Sequence, residues 1–572
     1  MTSKLLVPVL VCVSGCAVNV AGDGVDGERD SDGSDSTVGV DATRSLRIEP
    51  ATVGVTVAES YAVHQPFRAY MTQPDGSVVD VTDQATFTIA DDRFGSFDAA
   101  TLRVTGGGAG PVRVTARMDG ATASATVAVR VTNTEYGTGV PSSAGKMFER
   151  AIIGTNCGTE LVYPADGTTM MANLGRLDVH WDGGAGDLYE MRVSNQWVER
   201  VIYTRATNAA VGGTAWMPFT TAKDRASIRI SAMQTEATLT KCVSQMRTIR
   251  LSDTEVAGAI YYNEMHGSQS TLVRHDLSTS WQAQAVFPET DSPAACVGCH
   301  AISRDGARMA MTLDGASGQG AVFDLAEGRA MPIGSSTQRW SSATFTPAGD
   351  KLLAVEDGVL KLFELKGGRL IRTFDAAHVT GSPEISPDGT HLVTVEVPEG
   401  PDWQFASAEI VVRTFDANAA ALGPKKVVLP FDGAVQSYYP TWSPDGEWIA
   451  VTRSSGGSYA NHSAEVFVVS ADGTKGPFRI SGGESGSWAR FLPYETSLDG
   501  EMMYFISFTS TREFGHQLAA GQEQLWLAPF FPLHAKESFG VITGPAFRAP
   551  WQSLTATNHN AQWATSVVRA AD

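Results

Sequence analysis

Residues 296–300 read Cys296-Val297-Gly298-Cys299-His300. Two thiols three positions apart, followed at once by an imidazole, fit one specific piece of chemistry. Each thiol can add across a vinyl group on one edge of a porphyrin, and the adjacent imidazole then ligates the iron. The spacing is that of a covalent c-type haem site, with His300 as proximal ligand. With 6 Cys and 11 His in 572 residues, a chance CxxCH is expected on the order of 0.001 times. Two other uses of the same residues stay open. A local disulfide needs only Cys296 and Cys299. A structural zinc site would need two further ligands, and no second CxxC and no HxxxH pair occurs in the chain.

The element that must position this motif is written in a repeat. Ser303-Arg304-Asp305-Gly306 follows the motif directly. Related phrases recur at Thr346-Pro347-Ala348-Gly349, Ser386-Pro387-Asp388-Gly389, Ser443-Pro444-Asp445-Gly446 and Ser497-Leu498-Asp499-Gly500. Their spacings are 43, 40, 57 and 54 residues, the period of a four-stranded propeller blade. Each phrase precedes an apolar strand, and Asp-Gly favours the tight hairpin between the first two strands of a blade. The wording Pro440-Thr441-Trp442-Ser443-Pro444-Asp445-Gly446 resembles the TolB-type propeller repeat, which implies a β-propeller over residues 256–572. Thr346-Pro347-Ala348-Gly349 departs from that pattern, because its Asp is missing.

The repeats supply five blades. A sixth is expected from both ends of this segment: strands near Gly258–Tyr262 and Thr271–Arg274, joined by a final strand near Asn558–Ala564. Seven blades is the alternative count. The strand before each Asp-Gly hairpin lines the channel, so the CxxCH should lie at one channel mouth.

A second axial base would separate a closed electron carrier from an open ligand-binding haem. His559 is the first choice, because closure puts it on the innermost strand beside the motif. A channel histidine bonded to backbone is the plain alternative. Met309 and Met311 share one strand face and read first as core packing. His266 reads as a surface loop. There is no Gly-rich phosphate loop, GxSxG elbow or HExxH, and no carboxylate pair stands out.

The other cysteines place the chain in a compartment. Leu5–Val13 is a short apolar stretch, too short to span a bilayer. Val13-Ser14-Gly15-Cys16 resembles the bacterial lipobox, which implies a signal peptide over 1–16, lipidation of Cys16 and loss of Cys12. Ala17 at the next position implies the outer membrane by that family's sorting habit. Residues 17–43 are rich in Gly, Asp and Ser and read as an acidic tether. Cys157 and Cys242 remain, an even pair in an exported chain; a disulfide is expected, with two unpaired buried thiols as the alternative.

Residues 44–132 carry short alternating strands and resemble the Big-type bacterial immunoglobulin-like domain. Residues 145–253 are weakly similar to fibronectin type III, with Trp181 as the buried core Trp and His180 facing solvent. The fold class is therefore all-β: two β-sandwiches and a six-bladed propeller. A formal net charge of −19 argues against nucleic acid or an anionic membrane face as partner.

The function these features imply is a membrane-anchored, cell-envelope monohaem c-type cytochrome with redox or envelope protein partners, an electron carrier rather than an enzyme. Two rivals remain: a protein- or glycan-binding propeller with the CxxC as a disulfide, and a peroxidase-like enzyme with an open haem site.

Overall fold

The computed structural model describes residues 44–567, apart from 59–60, 155–157, 236–239, 268, 278–282, 288–296, 314, 316, 376–377 and 459–460. Cys12, Cys16, Cys157 and Cys296 lie outside the described residues, as do the expected signal peptide and tether. The described chain is all-β, and none of its helices is long and apolar enough to cross a membrane.

Six antiparallel sheets form a propeller. Their innermost strands are Thr557–Ala564, Val297–Ile302, Ser342–Phe345, Val379–Ile385, Gln436–Trp442 and Ser487–Phe491, which belong in that order to blades 1 to 6. Each contacts the next, and Ser487–Phe491 contacts Thr557–Ala564, so the ring is closed. Blade 1 joins the two ends of the segment. Ala259–His266 pairs antiparallel with Thr557–Ala564 on one side and with Gln269–Asp276 on the other. Each innermost strand is the channel-side edge of its own sheet, and closure turns these short edges inward, away from a foreign chain.

The repeated phrase works as a small hydrogen-bonded lock. In blade 2, Ser303 Oγ donates to Asp305 Oδ1 at 2.6 Å, and the Arg308 N–H donates to Ser303 Oγ at 2.9 Å. Gly306 sits at φ +71° to make the turn. Blades 4 and 5 repeat the lock through Ser386–Asp388 and Ser443–Asp445. Blade 3 shows why its missing Asp is tolerated: Thr346 Oγ1 donates to Asp350 Oδ1 at 2.8 Å, so the carboxylate comes from a later position.

The N-terminal part is organised around one long strand, Ala121–Tyr136. Its first half pairs with Thr52–Ala58 and Gly110–Met118, and its last residues pair in parallel with Val198–Thr204. It crosses the expected domain end at residue 132, so a single 11-stranded sheet runs through both N-terminal segments. Cys242, in strand Thr240–Val243, is disulfide-bonded.

Trp181 is fully buried, in strand Arg176–Asp182. The expectation that His180 faces solvent is wrong: it is 0% exposed. Strand alternation does turn it away from Trp181, but that second face is covered by the propeller. The His180 ring packs against Tyr163 and Phe514 at 5.7 and 4.6 Å, and His516 Nε2 lies 3.1 Å from the Trp181 carbonyl. A Cβ on Gly515 would stand 1.8 Å from His180 Nδ1, so only glycine fits there. Further ties come from Asp253, which accepts the Gly500 N–H at 2.9 Å, and from Tyr163 Oη, which accepts the Arg548 N–H at 3.1 Å.

Burial pushes the His180 pKa down to about 4. The unfolded chain binds a proton below about 6.5 that the folded chain refuses. The contribution of this group to stability is therefore whole above pH 6.5 and is lost as pH falls toward 4, by at most about 1.4 kcal/mol per pH unit. Urea unfolding across that window should show a flatter pH dependence for His180→Leu than for the wild type; equal slopes would refute the buried neutral imidazole.

Candidate functional site

The propeller axis is lined by a recurring distortion. In five of the six blades the pairing of the innermost strand is interrupted by a bulge. At each bulge one non-glycine residue adopts the left-handed region: Cys299 at φ +35°, Ser382 at +44°, Tyr439 at +51°, Trp488 at +47° and Asn560 at +55°. Such a conformation costs a side-chain-bearing residue of order 1–3 kcal/mol, and it persists where surrounding structure enforces it. All five residues line a cavity of about 340 Å³ along the axis. Blade 3 keeps its register, and there Ser342 Oγ accepts the Ser382 N–H at 3.2 Å.

Cys299 therefore stands at the bulge of blade 2 and lines the channel, as the repeat predicts. Gly298, between the two cysteines, has a local reason: a Cβ there would meet Thr312 Oγ1 at 2.9 Å. Cys296 lies outside the described residues.

His300 follows the bulge and is 3% exposed. The matching positions in the other bulges hold Pro383, Pro440, Ala489 and Ala561. Packing at this position thus calls for a small or apolar group, not an imidazole. Neither ring nitrogen of His300 makes a hydrogen bond of full geometry among the described residues, although the Tyr261 backbone lies close enough to bias its protonation. Burial pushes its pKa down to about 3; the nearby His559 adds to this, and the Tyr261 backbone partly opposes it. An unpaired buried polar group costs about 1–3 kcal/mol, and the buried ring of His180 carries the same cost.

His559 lines the same cavity. Burial holds its pKa down to about 4. Its ring stacks on Trp488 at 5.2 Å and 28°, and Trp488 stacks in turn on Tyr439 at 5.5 Å and 23°. The imidazole is thus the end of an aromatic row crossing blades 5, 6 and 1. Beside the row lies a polar belt, two residues beyond the left-handed position in three blades. Glu384 Oε1 accepts from Thr441 Oγ1 and from the Trp442 N–H, both at 3.1 Å. Glu384 Oε2 lies 3.9 Å from Arg490 Nη1. With its amide turned to satisfy both partners, Gln562 accepts from Arg490 at 3.0 and 3.2 Å. Burial raises the Glu384 pKa and lowers that of Arg490, and each opposes the shift of the other.

The other sequence candidates fall elsewhere. Met309 and Met311 are fully buried in the core between blades 1 and 2. His266 is exposed at a hairpin, 3.0 Å from Glu264. Among the described residues no cluster of three or more His, Cys, Asp or Glu could hold a metal ion by itself. A haem iron needs only one or two protein ligands and so would not show as such a cluster.

Sequence reasoning missed Tyr439, Trp488, Glu384 and Arg490. A signal existed for part of this set: Cys299, Ser342, Ser382 and Tyr439 each lie four residues before the Ser or Thr of their turn phrase.

No protein-family model matches the chain, and no curated protein matches it. Solved structures that resemble it include TolB from Acinetobacter baumannii, at 15% identity over 59% of this chain and 79% of that one, with a TM-score of 0.34. A chain of the nidogen/laminin complex gives 11% identity over 54% and 100%, with a TM-score of 0.35. An auxiliary nutrient binding protein from Bacteroides thetaiotaomicron gives 12% identity over 62% and 96%, with a TM-score of 0.29.

The Glu384–Arg490 contact yields a test. A cycle of Glu384→Gln, Arg490→Gln and the double change should show a coupling of roughly 0.5–3 kcal/mol. Denaturant titration of the three variants and the wild type measures this, and additive losses would mean the two groups do not interact.

Proposed function

We propose that this chain is a cell-envelope monohaem c-type cytochrome, tethered to the outer membrane through Cys16. One observation carries the reading: the CxxCH imidazole, His300, is buried at a position where sister blades keep Pro or Ala. Cys296 and Cys299 would hold haem c through thioether bonds, with His300 as proximal base and His559 as second base. When bound, the haem supplies a one-electron ferric–ferrous couple.

The chain's own residues account for the rest. Burial keeps His300 and His559 neutral, the form that ligates. The Tyr439–Trp488 row fixes the His559 ring plane. The bulge at Cys299 puts that residue on the channel lining, and a haem held there would supply outer-sphere electron transfer to a redox partner in the envelope.

The deciding measurement is a pyridine haemochrome spectrum of protein made with a c-type maturation system and stripped with acidified acetone. A retained c-type spectrum near one haem per chain is expected, and His300→Ala should lose the native spectrum. No haem, with Cys296 and Cys299 oxidised to each other, would leave an anchored binding propeller instead. A five-coordinate iron in the wild type would favour the open-site enzyme. Separately, Cys16→Ser should move the protein from the membrane fraction to the soluble one; unchanged fractionation would refute the anchor.

A further inference from the structure

One buried carboxylate beside the channel has no role in the reading above. Glu523 immediately precedes strand Gln524–Phe530 of blade 6, and its carbonyl accepts the Asn558 N–H of blade 1 at 2.9 Å. That backbone bond fixes Glu523 next to the strand that carries His559. Its side chain is only 17% exposed, and Oε2 lies 3.7 Å from His559 Nδ1. Burial raises its pKa, and His462 opposes that shift.

A neutral imidazole has a single N–H, and the field around its two nitrogens decides which one carries it. Here the carboxylate faces Nδ1. At 3.7 Å it is beyond hydrogen-bond length, and Nδ1 is buried with no hydrogen bond among the described residues. Ionised, Glu523 nevertheless attracts a proton on Nδ1 and repels a lone pair there, and its raised pKa sets the lower pH limit of that effect. The stack on Trp488 limits rotation of the ring and keeps that nitrogen turned to the carboxylate. Metal-ligating histidines are commonly arranged this way, with the remote nitrogen donating to a carboxylate.

We infer that Glu523 is a positioning residue that fixes His559 as the Nδ1–H tautomer and leaves Nε2 as the basic nitrogen for a ligand in the channel. Its purpose, presenting the second axial base of a haem, rests on the function proposed above; its effect on the tautomer does not. No bond is made or broken in this role: one proton is held at Nδ1, and the lone pair is freed at Nε2.

The test separates the two. Protein labelled with 15N-histidine and produced without haem maturation is observed by 15N NMR, with His559→Gln identifying the resonance. The wild type and Glu523→Asp should show the Nδ1–H form, while Glu523→Gln should shift toward Nε2–H. A cooperative thermal transition checks that each variant folds; should the Gln variant fail, Glu523→Ala takes its place. The same tautomer in the wild type and the neutral variant overturns the inference, whatever the haem result.

In haem-loaded protein, loss of the carboxylate should raise the midpoint potential, because the ligand loses imidazolate character. A tenfold change in the ferric-to-ferrous affinity ratio corresponds to about 59 mV. An unchanged potential in Glu523→Gln, or an unchanged iron spectrum in His559→Leu, overturns the axial part. Absence of haem in the wild type overturns the earlier reading and leaves the NMR result to stand alone.

Discussion

The antiparallel pairing of Thr557–Ala564 with Ala259–His266 is the constraint on which the rest depends. It joins the end of the propeller segment to its beginning and turns six sheets into a ring. Loop closure over about 300 residues is entropically costly, and a propeller's last blade has no other source for its innermost strand. The channel exists because this pairing holds. His559 also faces the CxxCH blade for this reason, since His559 lies on the closing strand and His300 on the strand beside it.

Within the ring, the chain places strain and unsatisfied groups together. Left-handed Cys299, Tyr439 and Trp488 are unfavourable in isolation. His300 adds two buried nitrogens without a hydrogen bond of full geometry among the described residues. The turn phrases outside the channel are the opposite: in blades 2 to 5 the serine or threonine donates to its carboxylate. Unpartnered buried polar atoms also occur away from the channel, both ring nitrogens of His180 among them; what converges on the channel is the set of five left-handed residues.

The N-terminal region bears on the site only indirectly. Its second sheet presses His180 and Tyr163 against Phe514 in blade 6, and Asp253 caps the Asp499-Gly500 turn of the same blade. Blade 6 also supplies Trp488, Arg490 and Glu523. The blade that brings Trp488 and Arg490 to the channel is therefore the one braced from outside.

The turn phrases, the blade period and the placement of CxxCH on an innermost strand were all legible in the chain, because each is written in residues close together in sequence. So was the chemistry open to Cys296, Cys299 and His300, which depends on covalent spacing alone. His180 was misread because alternation reports which residues share a face, and cannot report that another domain covers the second face. Trp488, Arg490 and Glu523 were invisible for a related reason. Their roles come from neighbours on other blades, and the bulges that aim them follow no residue pattern beyond a fixed offset in some blades. What faces what across the channel was decided by ring closure, which brings together side chains such as His300 and His559, about 260 residues apart, that no local rule relates.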